Sequence, residues 1–225
     1  PPSSVFRTPE RPTSLARPQM PATPMTNALN DANWLAGYLE GEATTPDQVL
    51  IAFFDACDPN HNPRAAIEQR CAELPRRLGL GQALVDCGVK LYYKSLRSIV
   101  RKEEERLKRN NFTEMLNDDA MHRALLAICF EVVVHVHLRL SKPFPAVPKA
   151  FGVCEFELLI MIMNFLRDFE HMLSREVRRH IVQLVNRIVD SDVWKSPSPL
   201  LSHLSDDDYS HHFTSVIEAL AAPPP

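Results

Sequence analysis

Proline crowds the two ends of this chain and leaves its middle to helices. Twelve of the 19 prolines lie in the first 24 or the last 29 of 225 residues. Only seven fall in the 172 residues between, and the whole chain holds six glycines. Proline removes a backbone donor and clashes with the preceding helical turn, and glycine costs a helix entropy. A long segment poor in both therefore favours α-helix, and with 45% apolar residues in the chain it can bury a core. The fold class expected is all-α. Residues 1–25 read as a disordered, proline-rich linker, 26–200 as the domain, and 201–225 as an acidic and histidine-bearing tail or the start of a spacer.

Apolar spacing places the helices. The first spans 28–40, with Leu29, Trp34, Leu35 and Leu39 on one side. Thr45-Pro46-Asp47 opens 46–57, with Thr45 as cap and Pro46 at the first helical position. Pro63 and Pro75 bracket a third helix, and a long one runs 83–109. Asn117 or Asp118 caps 119–139, and Pro143, Pro145 and Pro148 break the chain after it. Helix 154–170 is apolar on all sides and so is expected at the domain's centre. Ser174 caps 175–190, and a short helix at 206–221 follows Ser205-Asp206-Asp207-Asp208.

One stretch, Lys90 to Val133, departs from plain amphipathicity. In its first helix Val89, Tyr92, Tyr93, Leu96, Ile99, Val100 and Leu107 recur at helical spacing. Glu103 and Arg106 fall on the same stripe, where apolar residues belong. An ion pair so placed is either a lock inside the core or part of a groove that receives something.

Composition excludes several functions. A formal charge of −3 gives no basic field for nucleic acid. No run of about 18 uncharged apolar residues suggests a membrane span, and no signal-peptide core stands at the start. The chain begins with Pro rather than Met and is expected to be a piece of a longer protein. Cys57, Cys71, Cys87, Cys129 and Cys154 show no CxxC spacing and read as reduced core thiols. No phosphate loop, nucleophile elbow or HExxH motif is present. His135 and His137, two apart, sit on different helix faces, and His203, His211 and His212 read as part of a solvated tail. A non-enzymatic binding protein with no cofactor and no bound metal is expected. Five Ser/Thr-Pro pairs add a further pattern: Thr8-Pro9, Thr23-Pro24, Thr45-Pro46, Ser196-Pro197 and Ser198-Pro199. Proline-directed kinases require that proline, and a phosphate adds about −1.5 to −2 charges.

LYYKSLRSIVRKEEERL (91–107), NFTEMLNDDAMHRALLAICFEVV (111–133), Phe144-Pro145, LSREVRRHI (173–181) and DVWKSPSPL (192–200) together resemble pocket A of the retinoblastoma-related proteins. The resemblance is clear over about 83–200 and fainter from 23 to 82. It implies a cyclin-like helical fold and a nuclear repressor of cell-cycle transcription. It also implies a pocket B half as partner, E-two-F/DP transcription factors whose activation segment lies in the cleft between the halves, and regulation by cyclin-dependent kinase. Glu103 and Arg106 match cleft positions, and Arg179 matches a cationic one. Thr23 matches the site at the head of the first helix. Ser198 matches a site beside Trp194. Thr8 and Ser196 are further candidates from the Ser/Thr-Pro pattern.

The chain departs from the family at several positions. Glu114 stands where the family has Lys, and Val182 and Val185 replace two acidic residues. Under a gapless alignment Leu158 and Met161 replace a Lys and a Glu, which implies a more apolar cleft. The competing readings are another cyclin-fold protein, such as a cyclin or a factor of the TFIIB kind, and a helical scaffold without a regulated ligand.

Overall fold

The computed structural model describes residues 24–138 and 144–192. Nine α-helices run through them, with no strand among the described residues. They are α1 (Pro24–Tyr38), α2 (Gln48–Asp55), α3 (Arg64–Glu73), α4 (Gln82–Leu107), α5 (Thr113–Asn117), α6 (Asp119–Leu138), α7 (Ala146–Phe151), α8 (Glu155–Phe169) and α9 (Arg175–Arg187). The architecture is all-α and cyclin-like.

The central helix is α6, not the 154–170 segment expected from its composition. From Ala124 to Val134 every residue of α6 is buried, and α1, α3, α4, α7, α8 and α9 all pack on it. It is the one described helix long and apolar enough to cross a membrane, and its apolar surface lies inside the domain. Helix α8 buries Leu158, Met161, Ile162, Phe165 and Phe169 but leaves Ile160 and Met163 about half exposed, at 49% and 55%. A largely apolar helix thus packs one side on the core and leaves part of another uncovered.

Close approach sets the α4–α6 packing. A Cβ on Gly88 would lie 2.4 to 2.7 Å from the Phe130 ring, so only glycine fits there. Nearby, the Tyr92 hydroxyl lies 2.7 Å from Nδ1 of fully buried His122, whose Nε2 is 2.8 Å from the Leu116 carbonyl. A carbonyl only accepts, so Nε2 carries the proton and Nδ1 accepts from Tyr92. Burial pushes the His122 pKa down to about 4.

Caps and ion pairs fix the loops. Asp47, not Thr45, caps α2, accepting from the Leu50 amide at 2.9 Å. Its carboxylate also meets Arg97 on α4, which holds Glu42 at 2.7 Å, while Lys94 joins Glu42 at 3.2 Å and lies over the Tyr38 ring. Burial pushes the Glu42 carboxyl up, but the Arg97 and Lys94 hydrogen bonds outweigh it and hold the pKa below its usual value. Asp118 caps the start of α6 through the Met121 amide, 3.1 Å away. Ser174 caps α9 through the Val177 amide and donates to buried Asp31 of α1 at 2.8 Å, and Trp34 donates to the Met172 carbonyl at 2.9 Å. These bonds tie the domain's first and last helices together.

Two short helices, α5 and α7, were not expected, and α7 contains Pro148, one of the anticipated chain breakers. Proline is tolerated in a helix's first turn, where its missing N–H would have no partner. The helix expected at 206–221 lies outside the described residues.

Candidate partner-binding groove

Helix α4 outlasts the core it packs on. Val100 is fully buried, but Leu107 is 36% exposed, and the helix ends where Lys108 turns into the left-handed region (φ 53°). Glu103 and Arg106 therefore stand on an overhanging end. Arg106 Nε and Nη2 donate to Glu103 Oε2 at 2.9 and 2.5 Å. The Arg106 side chain is 65% exposed and that of Glu103 24%. The pair is formed and it is not a core lock.

The end of α8 closes the other wall. Lys102 donates to the Asp168 carbonyl at 2.8 Å, sits 3.5 Å from its carboxylate, and lies over the Phe169 ring. This clip brings α4 and α8 together, and Lys102, Glu103, Arg106, Asn164, Arg167 and Asp168 line the groove between them. Ile160 and Met163 are uncovered on the same helix.

The remaining site residues lie elsewhere. Arg179 pairs with Glu176 and lines a second depression, between α1 and α9, with Asn27, Asn30, Asp31, Ser174 and Arg175. Glu114 borders a third, with Asp58, Arg109 and Phe112. Val182 is 43% exposed and Val185 partly buried. Leu158 and Met161, by contrast, are buried in the core at 0% and 7%. Enclosed in the core, they do not make a surface cleft more apolar, contrary to what the gapless alignment implied. Thr8, Thr23, Ser196, Ser198, Trp194, His203, His211 and His212 lie outside the described residues.

His135 stacks on His180 of α9, the ring centroids 3.9 Å apart and 14° from parallel, beside buried Glu131. His137 is exposed on the other side of α6. Stacked rings point their lone pairs in parallel rather than at one ion, and among the described residues no three His, Cys, Asp or Glu gather for a metal. All five cysteines are free, and burial drives Cys71 up to about 12, so its thiol stays protonated.

Reading the sequence alone missed Lys102, Asn164 and Arg167. Their signal was available only as position: Asn164 and Arg167 follow Ile160 and Met163 at helical spacing along the uncovered side of α8.

A family model described as the retinoblastoma-associated protein A domain matches residues 23–204. Among curated proteins, the chain is 30% identical over 204 residues to retinoblastoma-related protein 1 of Triticum aestivum, covering 82% of this chain and 21% of that protein. It is 30% identical over 214 residues to retinoblastoma-related protein 1 of Pisum sativum (85% and 21%). It is 31% identical over 199 residues to the retinoblastoma-related protein of Scutellaria baicalensis (83% and 20%). The chain thus spans about a fifth of the length of the curated relatives it matches. Motif order, helical architecture and these matches agree: the chain belongs to the retinoblastoma-related family and is its pocket A domain.

Proposed function

We propose that this domain is one half of a protein-binding pocket in a nuclear, cell-cycle transcriptional repressor. It acts by binding rather than catalysis. With a pocket B half it masks the activation segment of an E-two-F/DP transcription factor, and cyclin-dependent kinase releases that segment by phosphorylating Thr8, Thr23, Ser196 or Ser198. The observation that carries the reading is the groove at the ends of α4 and α8. It presents an exposed, already formed Glu103–Arg106 pair beside the uncovered Ile160 and Met163. Charged side chains at a rim give register and orientation, and an uncovered apolar side gives area to bury. Arg106, in the last turn of its helix, supplies a fork for an acidic side chain. Glu103 orients that fork. Arg179 meets the segment or the B half from α9.

Co-expression of this chain with the downstream half of its gene product tests the reading. A stable one-to-one complex that retains a synthetic E-two-F activation-segment peptide on size exclusion is the expected result. Two halves that elute apart, with or without peptide, would sink it. For regulation, kinase treatment followed by mass spectrometry should label Thr8 or Thr23 before Ser198.

A further inference from the structure

Of the five Ser/Thr-Pro pairs, Thr45-Pro46 is the one that falls among the described residues. Its threonine reads as a cap for α2, but in the structure Asp47 takes that role. The Thr45 hydroxyl is left on the exposed surface of the loop between α1 and α2, with no hydrogen bond among the described residues. Thr45 lines a depression whose other residues come from α3, the 3-10 turn Pro75–Leu78 and the first half of α4. Two carboxylates and one guanidinium stand in that lining. Glu68 is held by Arg64 at 2.9 Å, and Asp86 accepts from Gln82 at 2.8 Å. Arg76 is exposed, and its guanidinium has no partner among the described residues. An unengaged hydroxyl ahead of a proline and an unengaged arginine thus share one depression.

We propose that Thr45 is a phosphorylation site within the folded domain and that Arg76 receives the phosphate. A proline-directed kinase transfers the group from a nucleoside triphosphate. Thr45 Oγ1 attacks the γ-phosphorus, the bond from that phosphorus to the β–γ bridging oxygen breaks, the nucleoside diphosphate leaves, and the hydroxyl proton passes to the kinase's base. Pro46 is buried beside the exposed threonine, so the kinase takes the loop in an opened form. Arg97, which holds both Glu42 and Asp47, governs that opening. The product adds about −1.5 to −2 charges and strong acceptor oxygens. Glu42, Asp47, Glu68 and Asp86 each have a donor already, so Arg76 is the open cation. Its guanidinium meets a phosphate with paired, planar donors. The modified loop is thereby tied to the turn that follows α3. This site stands apart from the α4–α8 groove and does not depend on what that groove binds.

Treatment of the full-length protein with a purified cyclin-dependent kinase and ATP, followed by phosphopeptide mapping and hydrogen exchange, tests this. Under native conditions phosphate should appear on Thr45. Arg97→Met, which frees the loop, should be labelled there several-fold faster. Loop amides between Glu42 and Leu50 should exchange about ten-fold more slowly once Thr45 is modified, the scale of one charge-assisted hydrogen bond. Thr45→Val, treated in the same way, should show no slowing, which separates Thr45 from the other Ser/Thr-Pro pairs. Arg76→Met should take the phosphate and also show no slowing. Phosphate that reaches Thr45 only in urea, while Thr8 or Thr23 is labelled in the folded protein, would overturn the site. Equal slowing in the native protein and Arg76→Met would overturn Arg76 as the receiver. Equal labelling of the native protein and Arg97→Met would overturn the loop as the gate.

Discussion

At the scale of single residues, the domain depends on a few positions where one atom decides the packing. Gly88 is the sharpest. Alanine would gain about 1 kcal/mol of helix propensity, but its methyl would overlap the buried Phe130 ring, and overpacking of that kind costs about 1–3 kcal/mol. Gly88→Ala should therefore be destabilising despite its better propensity, read as a lower midpoint in urea. A stabilised variant would show that α4 and α6 have room to part. His122 makes a second prediction. Its pKa of about 4 in the folded state lies below the ordinary value of 6.5. As pH falls from 6.5 toward 4 the unfolded chain takes the proton first, so stability declines through that window, by roughly 3 kcal/mol at most. Denaturation at pH 7 and at pH 4.5 should differ less in His122→Gln than in the native chain. Identical slopes would mean that other groups carry the acid sensitivity. Glu103 and Arg106 were legible at this scale because two charges interrupted an apolar period. Arg167 was not, since a charge on a helix with no assigned face carries no signal.

At the scale of elements, boundaries of the long helices could be read to within a few residues, because an apolar period and its caps are local properties. Burial is not. Helix α8 is largely apolar from Phe156 to Met163, and only the positions of its neighbours show that Ile160 and Met163 lack cover. Helix α6 is interrupted by Glu131 and three histidines, yet its middle, Ala124 to Val134, is the enclosed centre of the domain. The five- and six-residue helices α5 and α7 escaped notice because so few turns do not propagate alone and form through tertiary contact. At α2, Thr45 and Asp47 are both sound capping residues by type, and the choice fell to the one whose carboxylate also meets Arg97. Two outcomes follow. Arg97→Met should loosen the α1–α2 loop and lower stability by about 1–3 kcal/mol, because it leaves Glu42 and Asp47, both partly enclosed, without their main partner. Thermal melts of the native and variant chains measure this, and a change below about 0.5 kcal/mol would reduce the network to an ordinary surface cluster. Separately, the isolated chain should self-associate through the uncovered side of α8, and Ile160→Lys with Met163→Lys should give a monomer with an unchanged melting temperature. A monodisperse native chain in analytical ultracentrifugation would show that this side needs no cover.

At the scale of the whole molecule, a cyclin-like domain joins its first and last helices through Asp31–Ser174 and Trp34–Met172 and leaves the ends of α4 and α8 as a groove. The fold is set by the buried α6 and its ring of helices. Under the proposed function, ligand choice rests on a handful of exposed side chains at the ends of two of them. The central claim is that this groove, in a pocket completed by a B half, holds an acidic activation segment through Arg106. Titration calorimetry of an E-two-F activation-segment peptide into the co-purified A–B complex tests it most directly. The account predicts saturable one-to-one binding that Arg106→Glu weakens about ten-fold or more. Equal affinity for the native and Arg106→Glu complexes would contradict it.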